Sequence, residues 1–381
     1  MLMKTVFWGS VFLIIYPYLG YPLIVAILSA IRPRPVLRKA WEPTVTVLIP
    51  AFNEADCIAQ TVANKLEQNY PKNKQQIIVV SDGSTDGTDD IVRTFAHHGV
   101  QLLRCEKREG KSSALNEAMR SATGEIVIFS DANSVFHSDA IRYMVENFSD
   151  PSVGYVTGTL QYIADNGSLS GSGSDAYMKF ENILRRAETR IGSIIGVNGG
   201  VDAIRRDLYT DIQRELITDF VLPLRVIASG YRVVSDPRAV SRESANSALN
   251  SEFRMRVRVA LRALQGLVHM KRLFNPVNYP LTSFCLFSHK LIRYLSFVFM
   301  IFALIANARL ALLGPFYQYL LIFQLSLYGL ALLGITGSLP AIFRRLTVVP
   351  SYFLMSNAAF AVAVVRFLRG ETMATWRPRE G

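Results

Sequence analysis

The chain has 381 residues, half of them apolar, with a mean hydropathy of +0.23 and a formal charge of +11. That length exceeds one ordinary domain of ~100–200 residues, and three widely spaced cysteines, Cys57, Cys105 and Cys285, exclude a disulfide framework and a zinc cluster and point to a reducing compartment. The positive charge gathers beside apolar runs and not along an aromatic-rich basic face, which indicates anionic lipid or a phosphorylated substrate and excludes nucleic acid.

Residues 5–31, 294–308, 310–343 and 346–365 carry no charge, and a membrane-crossing helix needs ~20 mostly apolar residues. The first run exceeds the ~7–15 apolar residues of a signal peptide. Lys4 alone precedes it, and Arg32, Arg34, Arg38 and Lys39 follow. An uncleaved anchor over 1–31, with the chain after it in the cytoplasm, is expected. A Pro- and Arg-rich linker over 32–43 leads into a soluble domain expected over 44–250.

That domain opens with VTVLIPAFNE, a buried strand over 45–49 that gives way to the polar Asn53 and Glu54. A helix over 55–68 and a strand over 76–80 follow, the latter running into SDGSTDGT with Asp82 at its end. A helix over 89–97, a strand over 100–103, a loop over 106–111, a helix over 112–120 and the strand IVIF over 126–129 complete the series. Strand and helix alternate four times with polar residues always at the strand ends, which predicts a doubly wound, mostly parallel sheet. A ligand is then expected across Asn53, Glu54, Asp82 and Asp131.

After the last strand, Asp131 and Asn133 stand two apart, so in extended backbone both side chains point one way. Two hard oxygen donors suit a divalent cation on a phosphate; a helix-capping turn accounts for the same pair. GKSSALN around Lys111 lacks the spacing of a phosphate loop. Lys111 is either a point charge for phosphate or a solvated helix start.

VTVLIPAFNE, VVSDGSTDGT, GKSSALN and FSDANS, in this order, resemble the nucleotide-sugar half of the family 2 glycosyltransferases, which have the Rossmann-like GT-A fold and invert the anomeric centre. The resemblance covers 44 to about 270, and the flanking apolar runs look like the membrane-embedded members that make polysaccharides and glycolipids. It implies that Asn53, Glu54 and Asp82 contact the nucleoside, with uridine favoured, and that Lys111 lies near the diphosphate. Asp131 and Asn133 match the element that holds Mg2+ or Mn2+, with Asn in place of the second acid.

Beyond a strand over 154–157 comes a Gly/Ser tract over 166–174, read either as a lid or as a tolerated insertion. A helix from 175 to about 190 leads to IIGVNGGVDAIRR, where Gly196, Asn198, Gly199 and Gly200 suit close approach to the donor sugar and acceptor; a plain turn is the alternative. Asp219 opens a helix over 220–228. The resemblance makes Asp219 the base that deprotonates the acceptor, with Thr218 replacing the neighbouring acid; the helix dipole alone also favours an acid there. In the basic amphipathic helix over 252–267, Arg258 and Arg262 share a face and are candidates for the leaving diphosphate, while contact with anionic lipid explains the same spacing.

Residues 251–292 read as amphipathic and interfacial, 293–368 as membrane segments and 369–381 as a tail. Two spans form a hairpin around Gly314-Pro315. A third would carry the final arginines across the membrane, so a re-entrant or kinked segment at Pro350 is the competing reading. The helices either enclose a polymer channel or simply anchor the enzyme.

The expected protein is an inner-membrane, cytoplasm-facing, inverting glycosyltransferase acting on a polysaccharide or lipid-linked acceptor, processively or by single transfer. A membrane-anchored nucleotidyltransferase and a non-catalytic nucleotide sensor are the alternatives from other classes.

Overall fold

In the computed structural model, residues 1–163, 169–244, 249–337 and 344–372 are described. Eight strands form one mixed sheet: β1 (Val45–Ala51), β2 (Gln75–Ser81), β3 (Val100–Arg104), β4 (Ile126–Ser130), β5 (Val135–Phe136), β6 (Val153–Ile163), β7 (Val201–Arg205) and β8 (Arg232–Ser244). Their order is β3-β2-β1-β4-β7-β6-β8-β5. The half holding the four expected strands is parallel, whereas β7 runs antiparallel to β4 and β6. The sheet is therefore mixed but mostly parallel, because β6 and β8 run the same way as β1 to β4 and only β7 and β5 oppose them. β7 and β8 carry charged residues in place of continuous apolar runs, which hid them from pattern reading.

Successive residues of the central strands face opposite layers. Leu48, Ile78, Val127 and Phe129 pack toward α5 (Lys111–Ser121) and α8 (Thr218–Ala228). Val47, Ile49, Ile77 and Ile128 pack toward α3 (Ala55–Leu66) and α6 (Ala140–Glu146). Covering both faces is what a parallel sheet requires. Removing one of these side chains, as in Leu48→Ala, costs about 2–5 kcal/mol.

Part of the Gly/Ser tract is helical. α7 (Leu169–Ile191) begins within it, and a Cβ on Gly173 would lie 2.5 Å from the Tyr352 ring, so the small residue permits close helix packing. Residues 166–168 lie outside the described set. α9 (Leu249–His269) buries Val257, Leu261 and Leu264 in the same core.

Among the described residues, three helices are long and apolar enough to cross a membrane: Ser296–Leu313, Pro315–Thr336 and Leu346–Leu368. The last runs through Pro350 as one helix (Arg344–Leu368). The N-terminal run is two helices, Leu2–Ile15 and Gly20–Ile31, bent by 54° at a break that contains Pro17. The second docks on α7, where the buried Tyr21 donates to Glu188 at 2.6 Å.

Candidate active site

Parallel pairing of β1 with β2 and β4 brings three strand ends to one edge. Asn53 sits there in the left-handed region, φ 53°, a conformation Asn tolerates better than most residues. Its Oδ1 accepts from the Thr85 amide at 2.8 Å, and its own amide donates to Ser84 Oγ at 3.1 Å, joining the ends of β1 and β2. The Glu54 amide donates to Thr88 Oγ1 at 2.9 Å, and the Glu54 carboxylate accepts from the Cys57 thiol. Asp82 is buried and accepts from the amides of Glu109 and Gly110, each at 2.8 Å. Burial nevertheless raises its carboxyl above the ordinary value. Both carboxylate oxygens thus fix the loop that leads to Lys111, and each keeps a lone pair for a ligand.

Lys111 joins the two halves of the site. Its ammonium lies 2.6 Å from Asp131 Oδ1 and 3.6 Å from Asp219 Oδ2. The meeting follows from how two helix starts dock: Ser112 Oγ donates to the Leu216 carbonyl at 2.9 Å and lies 3.1 Å from Thr218 Oγ1. Thr218 is buried, so an acid in its place would have lost solvent. A lysine in the first turn of α5 opposes the helix dipole, and the two carboxylates are what hold it there. Burial alone would depress its ammonium, but Asp131 and Asp219 outweigh that and hold it above its usual range. Burial raises the Asp219 carboxyl, with Lys111 pulling the other way and Asp131 adding to the rise. With its side chain 24% exposed, Asp219 is a poorly solvated carboxylate open to the cleft.

The turn before β7 closes over this pair. Gly199 has φ 89°, and a Cβ there would collide with the Asp219 carboxylate; a Cβ on Gly200 would lie 2.8 Å from Ser134 Oγ. Only glycine meets both conditions at 199. Asn198 faces inward: its Nδ2 donates to the Gly158 carbonyl at 2.7 Å and its Oδ1 accepts from Arg185. It shapes the turn.

Pattern reading overlooked Asp202, fully buried on β7, whose Oδ2 accepts from the Gly199 amide at 3.0 Å and whose Oδ1 has no partner. Burial and the nearby Asp219 push its carboxyl up to about 7. The folded state then holds a proton that the unfolded chain releases near pH 4, so stability falls as pH rises toward 7. Asp202→Asn keeps the acceptor and removes the titration. The thermal midpoint should rise by a few degrees at pH 8 and less at pH 5; an equal change at both would show that Asp202 does not titrate between them.

Two further buried residues support the Asp131 loop: Ser134 Oγ donates to Glu243, and Lys65 donates to the Ser134 carbonyl at 2.6 Å. A single lysine in an amphipathic helix gave no signal of this. Arg262 donates to the carbonyls of Arg214, Glu215 and Leu216, fixing the backbone before Asp219; burial pulls its guanidinium down to about 10, with the Asp219 carboxylate acting the other way. Arg258, one turn earlier, is partly exposed.

Asp131 and Asn133 supply one carboxylate and one amide oxygen, donors that fit Mg2+ or Mn2+ in kind. Among the described residues no three His, Cys, Asp or Glu converge, so these two residues suit an ion shared with a diphosphate rather than a protein-only cage.

A mixed sheet with a polar cleft at the ends of its parallel strands, and a carboxylate closing the far side, is the layout of a GT-A glycosyltransferase. Residues 46–212 match the family described as glycosyl transferase family 2. The poly-β-1,6-N-acetyl-D-glucosamine synthases of Staphylococcus aureus strain MSSA476 and Staphylococcus epidermidis strain ATCC 35984 are 27% identical over 222 residues, 57% of this chain and 53% of theirs. The match thus spans about half the length of those curated relatives. The structure of a mannosyltransferase from Pyrobaculum calidifontis in complex with GDP-mannose and Mn2+ superposes with a TM-score of 0.75 at 25% identity, over 97% of this chain and 99% of that one. Residues 46–212 thus match a glycosyl transferase family 2 model, and the chain shares its fold with a glycosyltransferase of known structure.

Proposed function

We propose that this protein transfers a glycosyl unit, with inversion, from a nucleoside diphosphate sugar to a polysaccharide or lipid-linked acceptor at a membrane surface. The observation that carries the proposal is the sharing of Lys111 between Asp131 on one side of the cleft and Asp219 on the other. Asn53, Glu54 and Asp82 hold the nucleoside, and Lys111 and Arg258 face the diphosphate. Asp219 takes the acceptor proton as the hydroxyl attacks the anomeric carbon, and the nucleoside diphosphate leaves. Asp131 and Asn133 would hold Mg2+ or Mn2+, which neutralises charge on the leaving diphosphate. The Mn2+ and GDP-mannose of the Pyrobaculum calidifontis structure support metal use and make a guanosine donor the alternative to a uridine one. The apolar helices support a multi-pass protein in the inner membrane with the catalytic domain in the cytoplasm.

A screen of UDP- and GDP-sugars with Mg2+, Mn2+ or chelator, read by nucleoside diphosphate release, tests this. Metal-dependent release is expected, whereas pyrophosphate as the product would identify a nucleotidyltransferase. Product length separates the two acceptor classes: a ladder of long chains excludes single transfer. Asn133→Asp adds a charged donor and should lower the half-saturating metal concentration roughly tenfold. An unchanged metal titration would remove Asn133 from the metal site.

A further inference from the structure

Two cavities share a wall between the catalytic domain and the apolar helices. One, of about 700 Å3, is lined by apolar side chains such as Phe7, Trp8, Ala303, Phe323 and Phe353. The other, of about 170 Å3, is lined by Tyr162, Glu252, Val259 and Lys290. Tyr177, Arg256, Arg293, Tyr352 and Phe360 border both, so the apolar chamber ends in a polar throat.

The throat is underfilled with negative charge. Arg256 is bonded to Glu252 at 2.9 Å. Arg293, 3% exposed, gives its terminal nitrogens to Glu181 at 2.5 and 2.7 Å and leaves Nε buried with no acceptor. Glu188 is taken up by Tyr21 and His289. Four cations, Lys290, Arg256, Arg293 and Arg185, face three carboxylates, Glu252, Glu181 and Glu188, which leaves one positive charge. Lys290 carries it: among the described residues its ammonium has no hydrogen-bond or ion-pair partner. Burial pushes that ammonium down to about 8, a cost that an anion beside it would offset.

Lys290 also lies next to the catalytic turn. A Cβ on Gly196 would sit 2.7 Å from its Nζ, and the same stretch of chain reaches Gly199, which abuts Asp219. A sugar polymer in the large chamber would lose its water hydrogen bonds and find Asn307 and Gln324 among mostly apolar walls; a hydrocarbon chain loses none.

Building on the glycosyltransferase reading, we propose that the double cavity binds the acceptor as a sugar carried on a long-chain lipid phosphate, with its hydrocarbon in the apolar chamber, its phosphate at Lys290 and a hydroxyl of its sugar at Asp219. Three probes test this on the full chain in detergent: farnesyl phosphate, farnesol and inorganic phosphate, each measured by calorimetry. Farnesyl phosphate should bind at least about tenfold more tightly than either of the others. Lys290→Ala should erase its advantage over farnesol, and Lys290→Arg should keep most of it, which guards against misfolding. Equal affinity for farnesol and farnesyl phosphate, inorganic phosphate binding as well as the lipid, or an unchanged Lys290→Ala variant each overturns the proposal. Donor turnover by the same wild-type preparation is measured separately. Turnover with unselective lipid binding overturns the lipid site alone. Selective lipid binding without turnover of any nucleotide sugar supports the site and removes the proposed reaction.

Discussion

Asp219→Asn is expected to lower kcat by about 10^3-fold, within the range for loss of a general base, while the donor KM changes little. Asparagine keeps the shape and the capacity to accept from Lys111, and it fills the space beneath Gly199, so the fold of the turn survives. What it cannot do is take a proton. The effect should therefore appear in kcat, because base catalysis is realised only in the transition state. Glycosyl transfer and nucleoside diphosphate release, followed over donor concentration, measure both constants. A variant within tenfold of wild type would remove Asp219 from the chemistry.

What could be read from the sequence divides along a physical line. β1, β2 and β4 are apolar on both faces because helices cover both faces, and a continuous Val/Ile run is visible without any partner. Their polar ends, Asn53, Asp82 and Asp131, were visible for the same reason. β7 and β8 hold Asp202, Arg205, Asp236 and Arg238, charges whose partners come from distant chain, such as Asp236 with Asn147. Local pattern cannot show that such a charge is satisfied. The Gly/Ser tract differed in the other direction: its composition reads as a lid or an insertion, but its later part starts α7, where Gly173 lets the Tyr352 ring pack closely. Arg262 shows a third limit. Helical spacing put it on one face with Arg258, and its three backbone carbonyl partners come from a distant stretch of chain that spacing does not contain.

The contact between Lys111 and two carboxylates, which no spacing rule contains, leads to a second large effect. Lys111→Met should lower kcat about 10^2-fold at pH 7, comparable with the loss of one preorganised charge at a reacting group. It should also move the acidic limb of the pH profile upward. The sign follows from the charges: burial and Asp131 raise the Asp219 carboxyl, and Lys111 is the neighbour that lowers it most. Without the lysine, Asp219 holds its proton to higher pH, and the basic form needed to accept the acceptor's proton is populated later. Lys111→Arg retains the charge and should leave the limb near its wild-type position. A higher donor KM with an unmoved limb would make Lys111 a diphosphate ligand only. A moved limb with normal donor KM would make it the group that tunes the base, and movement of both is expected from an ammonium 2.6 Å from one carboxylate and 3.6 Å from the other.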